Sequence, residues 1–332
     1  MGEAGRVAAD GILRIGVVGV GVMGSNHARV LADIPGVDLV GVVDPDPKQR
    51  DRVGSALGCE TFGSLDALIG RGVDALTIAA PTHLHRDIAI ECASRGIHLL
   101  VEKPIASTIE EGHAIVAACR RAGVTLMAGH VERFNPAVEA IKRAIKDQHI
   151  LSIAITRVGP FPPRMSNVGV VIDLGVHDID LIRWFTESEI VEIQPQTSSA
   201  VAEREDIALL QFRTASGVLA HINTNWLTPF KARNIHIATR DKYLMADLLT
   251  LQVTECFGFQ PDGSYSMRHL SVGYAEPLRS ELLAFINAIR SGQPPAVTGE
   301  EAVASLEIAI RCLDGRTAQV APQRKGPRRV AG

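Results

Sequence analysis

The sequence predicts a doubly wound α/β domain on a parallel sheet, followed by an α+β domain with a mostly antiparallel sheet. Up to about residue 130, short β-branched apolar runs alternate with stretches of helical periodicity. Continuous apolar strands separated by helices belong to a parallel sheet covered on both faces. Past residue 131 the rhythm changes, and between about 190 and 260 strand-length segments follow one another across short turns. That succession builds an antiparallel or mixed sheet. The length of 332 residues also exceeds what one hydrophobic core usually serves, so two domains are expected.

In the first domain, expected at 1–130, the Val/Ile/Leu-rich runs place strands at 13–18, 38–43, 75–79, 98–101 and 125–128. Helical patterns between them fall at 26–32, 48–57, 87–94 and 110–121. The last begins with Ser107-x-x-Glu110, which reads as a capping box. The second domain, expected at 131–315, opens with a helix at 137–146 and a strand at 150–158. A Gly/Pro turn at 159–163 and a helical block at 173–185 follow. Strands are then predicted at 190–194, 207–212, 218–223, 234–238, 243–246 and 252–257, with helices at 278–290 and 300–312 closing the domain. Residues 316–332, basic at 325–329, are expected to form a flexible, solvated tail.

Composition excludes several functions. With 46% apolar and 21% charged residues the chain is ordinary globular protein. A net charge of −3 and only 4% aromatics leave neither the electrostatic footprint nor the stacking surface that nucleic acid requires. No apolar run reaches the ~18–20 residues of a membrane span, and the apolar run at 15–22 is too short and glycine-broken for a signal peptide. Five scattered cysteines without a C-x-x-C pair fit reduced thiols, so a cytoplasmic location is expected.

The cofactor signal is Gly19-Val20-Gly21-Val22-Met23-Gly24, placed between a strand and a helix. Its glycines permit a tight turn, close approach of backbone to a pyrophosphate, and strand–helix packing, with the phosphates at the helix N-terminus. A second strand ends in Asp44, twenty residues after Gly24, where a carboxylate can accept from both ribose hydroxyls. Asp44 would repel a 2′-phosphate, so NAD is expected rather than NADP. Arg50, a turn into the next helix, is the one nearby cation considered against this.

Two further segments carry chemistry. Glu102-Lys103-Pro104 closes an apolar run, which puts Lys103 just past the carboxyl end of a buried strand, the ligand-binding edge of a parallel sheet. A surface lysine ending a strand is the plainer alternative. Asp173, His177 and Asp180 recur at i, i+4 and i+7, one stripe of a helix in apolar surroundings. A histidine is the natural proton acceptor near neutral pH, and an aligned aspartate fixes its orientation. A polar surface stripe would look the same. Oxidising an alcohol requires a proton acceptor and a donor to the oxygen that becomes negative. Lys103 and His177 supply this pair, without the sequence deciding which holds the proton. His83-x-His85 beside Asp87 resembles a weak metal-ligand pattern, and an exposed helix start explains it better. No metal is expected.

In this order the motifs resemble the glucose–fructose oxidoreductase/inositol dehydrogenase family (Gfo/Idh/MocA). The likeness runs from about residue 13 to 312 and rests on G-V-G-V-M-G at 19–24, A-P-T-H-L-H at 80–85, E-K-P at 102–104 and D-L-G-V-H-D-I-D at 173–180. It implies an N-terminal Rossmann domain and catalysis by Lys103, Asp173 and His177, which also contact substrate. It implies that Ala80, Pro81, Thr82, His85, Glu102 and Lys103 contact NAD. It further implies a large open sheet in the C-terminal domain, through which a homo-dimer or homo-tetramer assembles, and it is compatible with a cis Lys103–Pro104 peptide.

Within the family, the stretches at 129–136, 157–164 and 225–229 are similar to the UDP-N-acetylglucosamine 3-dehydrogenase group. That likeness implies oxidation of C3 of UDP-N-acetylglucosamine, with Arg133, Arg157 and Arg164 as candidates for the diphosphate, whose oxygens match the arginine fork. The alternatives are an inositol or other sugar dehydrogenase, a non-catalytic NAD-binding protein, or a metal hydrolase using His83, His85 and His177.

Overall fold

The structure, a computed structural model, describes residues 11–162, 168–314 and 318–319. The chain divides into two compact units, with boundaries at Phe134/Asn135, Tyr274/Ala275 and Leu306/Glu307. The first unit therefore contains residues 275–306, which had been expected in the second domain. Local pattern identifies a helix there but carries no information about which core the helix covers.

The first unit is built from β1 (Leu13–Val18), α1 (Val22–Ala32), β2 (Val37–Val43), α2 (Pro47–Leu57), β3 (Glu60–Phe62), α3 (Leu65–Ile69), β4 (Ala75–Ile78), α4 (His85–Ser94), β5 (His98–Glu102), α5 (Ile109–Ala122) and β6 (Leu126–Gly129). The strands form one sheet in the order β3-β2-β1-β4-β5-β6, and every pairing is parallel. The chain order reverses beside β1, and in such sheets ligands bind outside the carboxyl ends of the strands at that point. Leu13, Ile15 and Val17 are fully buried, each worth ~1.5–3 kcal/mol relative to exposure. Neither β3, three residues long, nor α3, five residues long, is long enough to show a periodic pattern, and neither is among the expected elements.

The expected capping box is displaced by one residue. Thr108, not Ser107, caps α5, its hydroxyl accepting from the Glu111 N–H at 3.2 Å. Glu111 in turn accepts from the Ser107 N–H at 3.2 Å. The S/T-x-x-E pattern is satisfied equally by both registers, and side-chain geometry selects the second.

The second unit carries α6 (Pro136–Ala144), β7 (Ile150–Pro160), α7 (Val176–Thr186), β8 (Ile190–Ser198), β9 (Ile207–Thr214), β10 (Leu219–Asn225), β11 (Leu227–Thr239), β12 (Lys242–Asp247), β13 (Gln252–Phe257), β14 (Ser266–His269) and β15 (Ala318–Gln319). Nine strands form one open sheet, ordered β14-β13-β12-β11-β7-β10-β9-β8-β15, antiparallel throughout except for β7 beside β10. Part of the expected tail is thus an edge strand, and the rest of it lies outside the described residues. Along β9, Ala208, Leu210 and Phe212 are buried while Leu209 and Arg213 are exposed, the period-2 alternation of a sheet with one covered face. Ile153, Ile155, Ile179, Ile182 and Phe185 belong to the core on the covered side.

Two further helices are α8 (Pro277–Ser291) in the first unit and α9 (Gly299–Leu313), which runs across the last boundary.

Candidate active site

Register in the first unit brings the cofactor motifs to one sheet edge. Val18 pairs with Val43 and with Ile78, Ile78 with Val101, and Glu102 with Gly129. The residues that follow these strands (Gly19, Asp44, Ala79–Thr82, Lys103 and His130) therefore emerge side by side.

Each glycine of the loop has a distinct spatial reason. Gly19 has φ +83°, and a Cβ there would come within 2.7 Å of the Ala80 backbone. A Cβ on Gly24 would lie 1.7 Å from the Gly19 carbonyl oxygen, so this glycine lets α1 pack directly on the turn. Gly21, which caps α1, faces open space instead. The first turn of α1 carries no acidic residue, which suits an anion at the positive end of the helix. Val22 and Met23 are exposed beside it.

Asp44 is 8% exposed and holds the loop together. Its Oδ2 accepts from the Val20 N–H at 2.9 Å and its Oδ1 from the Asp46 N–H at 2.9 Å. The Arg50 Nη1 donates to the Asp44 and Pro45 carbonyls at 3.1 and 3.2 Å, so this arginine folds back toward the β2 end. These features fit a dinucleotide: an open glycine turn, a helix N-terminus and a carboxylate at the second strand end.

The roles expected of His85 and Glu102 change. His85 is 1% exposed; its Nε2 lies 2.8 Å from the Ala80 carbonyl and its Nδ1 3.3 Å from that of Ile105. It braces the backbone of two edge loops rather than presenting its ring to a ligand. Burial pushes its pKa down, outweighing the carbonyl hydrogen bonds, so it is neutral at physiological pH. Its burial against these two carbonyls also leaves it unsuited to the H-x-H metal pattern; its neighbour His83 is exposed. Glu102 turns inward, with Oε1 2.8 Å from His27 Nε2 and Oε2 accepting the Lys103 N–H at 3.1 Å. Gly129 makes room for it, since a Cβ there would sit 3.1 Å from Oε1. His27 was not singled out by sequence, although a histidine on the apolar face of α1 was the available signal. Thr82 and Lys103 are half-buried at the edge, Ala80 is half-buried and Pro81 exposed, and the Lys103–Pro104 peptide is cis.

In the second unit, the block expected as one α-helix begins instead as a π-helical turn, Val171–Gly175, and becomes α-helical at Val176. Asp173 lies in the wide turn and is half-buried, while His177 is 8% exposed in the first turn of α7. Asp180 is 1% exposed, so the expected three-residue stripe ends in the interior. π turns concentrate at functional sites because they re-aim the side chains around them. Glu205, unnoticed in the sequence, secures the start: its Oε1 accepts from the Val171 N–H at 3.2 Å, and its carbonyl accepts from the Val170 N–H at 2.9 Å.

Two arginines expected at a diphosphate are committed elsewhere. Arg157 is 2% exposed on β7 and grips Asp178 of α7, with Nε 2.9 Å and Nη2 2.8 Å from Oδ1. Arg133 is 4% exposed and donates through Nη1 to Glu301 at 3.2 Å and the Ala296 carbonyl at 3.3 Å. Their forks hold the protein together and are withdrawn as substrate contacts. Arg164 lies outside the described residues.

Residues 13–130 match the family described as "Oxidoreductase family, NAD-binding Rossmann fold", and residues 155–243 match the "GFO/IDH/MocA C-terminal domain". The chain belongs to the Gfo/Idh/MocA family. It is 30% identical to the UDP-N-acetylglucosamine 3-dehydrogenase of Acidithiobacillus ferrooxidans, over 92% of this chain and 97% of that one. A solved structure of that enzyme superposes with a TM-score of 0.86 at 28% identity, covering 91% of this chain and 97% of the other. The scyllo-inositol 2-dehydrogenase (NAD(+)) of Bacillus subtilis is 28% identical over 90% of this chain and 92% of its own. This Gfo/Idh/MocA protein is therefore an NAD-dependent oxidoreductase acting on CH–OH groups.

Asp44 makes the choice of NAD testable. Asp44→Ser removes the carboxylate expected to repel a 2′-phosphate and leaves Arg50 close by. The variant should raise the NADP-to-NAD ratio of kcat/KM by about tenfold or more, the value of one lost like-charge contact at partial burial. An unchanged ratio in side-by-side assays would remove Asp44 from cofactor selection.

Proposed function

We propose that this enzyme oxidises the C3 hydroxyl of UDP-N-acetylglucosamine. The observation that carries the reading is the likeness to the Acidithiobacillus enzyme, which extends through both units at nearly full length. In this reading the Lys103 ammonium donates to the reacting oxygen and favours its anionic form. His177 takes the hydroxyl proton, and Asp173 orients the imidazole. NAD, held at the glycine turn and Asp44, would supply the hydride acceptor. Arg164 is the remaining arginine proposed for the diphosphate.

A second reading, oxidation of an inositol or free sugar, is favoured by a specific observation. With Arg133 and Arg157 engaged internally, two of the three expected diphosphate contacts are gone. Incubation with NAD and a panel of UDP-sugars and polyols, followed by NADH absorbance, separates the two. Turnover of UDP-N-acetylglucosamine at least tenfold above any polyol supports the first; turnover of a polyol alone replaces it with the second.

The exposed side of the large sheet, with Leu151, Leu209, Leu219 and Tyr243 outward, supports assembly of a homo-dimer or homo-tetramer through this face. A cytoplasmic location is supported by the five free cysteines. No helix among the described residues is long and apolar enough to cross a membrane.

A further inference from the structure

Inside the first unit, three ionisable side chains from three elements face one another: His27 of α1, Glu102 of β5 and Glu281 of α8. One polar atom of each lies within 4.8 Å of the others, and all three residues are buried. His27 and Glu102 form a hydrogen-bonded pair at 2.8 Å, a separation that places a proton between them. Glu281 differs. It is fully buried, and neither carboxyl oxygen has a hydrogen-bond partner among the described residues.

The charges around α8 do not neutralise it. From α1 come His27, already on Glu102, and Arg29, which pairs with Glu276. The turn at 131–134 brings Glu132 and Arg133, and Arg133 pairs with Glu301. The end of β5 brings Glu102 and Lys103, whose N–H donates back to Glu102. A second ionised carboxylate here would be stripped of water beside a like charge, an arrangement that two neighbouring carboxyls avoid by retaining one proton.

We propose that Glu281 holds a proton at neutral pH and shares it with Glu102, making it a positioning residue for the Glu102–Lys103 strand end. An O–H···O⁻ bond of ~2.5–2.7 Å between the two carboxyls is the form this sharing would take. The cluster then keeps one negative charge fewer beneath the edge that receives the NAD pyrophosphate. Glu102 stays ionised and keeps its grip on the Lys103 N–H. The electrostatics agree in direction. Burial, then the Glu102 charge, push the Glu281 carboxyl well above the ordinary range. For Glu102, burial acts upward, and the His27 hydrogen bond and charge overrule it, with Lys103 adding to them, to hold it below that range.

The proton is detectable without turnover, so the test is independent of the roles given to Lys103 and His177. An unfolded glutamate releases its proton near pH ~4.3, whereas folded Glu281 retains it. The stabilisation is therefore complete below that pH and is lost as pH rises toward the folded value. Between pH 5.5 and 8, urea-unfolding free energy of the full-length protein should fall with pH more steeply than that of Glu281→Gln, by a slope equivalent to about one proton. Infrared difference spectra at pH 7 should show a protonated-carboxyl C=O band that Glu281→Gln abolishes. Should that variant fail to fold, a ¹³C-carboxyl NMR titration of wild-type glutamates reads the same proton. Equal slopes, no such band, all glutamates ionised by pH 6, or a stoichiometric metal ion in elemental analysis would each overturn the proposal.

Discussion

Replacing Lys103 by Met, or His177 by Ala, should lower kcat/KM by about 10²–10⁴-fold while leaving the Kd for NAD within a few-fold of wild type. General acid–base groups and preorganised donors to a developing oxyanion each contribute at this scale. The split between the measurements is the informative part, because in the proposed mechanism both side chains act on the reacting hydroxyl, and the NAD contact expected of Lys103 is one among many that hold the cofactor. If the two act as a unit on one proton and one oxygen, the double variant should be little worse than either single one. Steady-state kinetics and calorimetric NAD binding check this. Single variants that keep a third or more of wild-type kcat/KM would end the catalytic assignment.

Arg157→Leu should destabilise the second unit by about 3–5 kcal/mol, the cost of leaving one partner of a buried ion pair uncompensated. The side chains of Arg157 and Asp178 are 2% and 0% exposed, so solvent does not take over for the missing guanidinium. Arg157→Met with Asp178→Leu should recover most of that loss, because an apolar pair of similar volume carries no desolvated charge. Urea denaturation of the single and double variants measures both effects. A single variant within 1 kcal/mol of wild type would show that the pair is structurally idle.

Apart from the three-residue β3, the strands of the first unit are legible because parallel, doubly covered strands are continuous apolar runs, and β1 falls on the predicted residues. The glycine loop and Asp44 were legible for a similar reason: their spacing encodes a local shape. Arg157 was misread although β7 contained the answer. Ile153, Ile155 and Arg157 share one face by period-2 alternation, and that face is buried. What the sequence withheld was Asp178, twenty-one residues away, because pairing across elements has no local signature. Glu281 is a comparable case. It sits between Leu278 and Leu282 on the buried face of α8, a carboxylate out of place in the pattern. The π turn before α7 left no mark at all, since a single inserted step changes no residue type.

The Arg157–Asp178 pair also has an evolutionary consequence. It ties the residue next to His177 to a central strand of the sheet, while Glu205 fastens the chain again at Val171. The approach to α7 and its first turn are thus each fixed by a separate side chain. Loop closure costs grow only slowly with length, so connections outside these two fixed points can change in length at small energetic cost. His177, the proton acceptor of the proposed mechanism, would keep its address while such connections are exchanged. A chain built this way can keep the position of one side chain while the backbone around it varies.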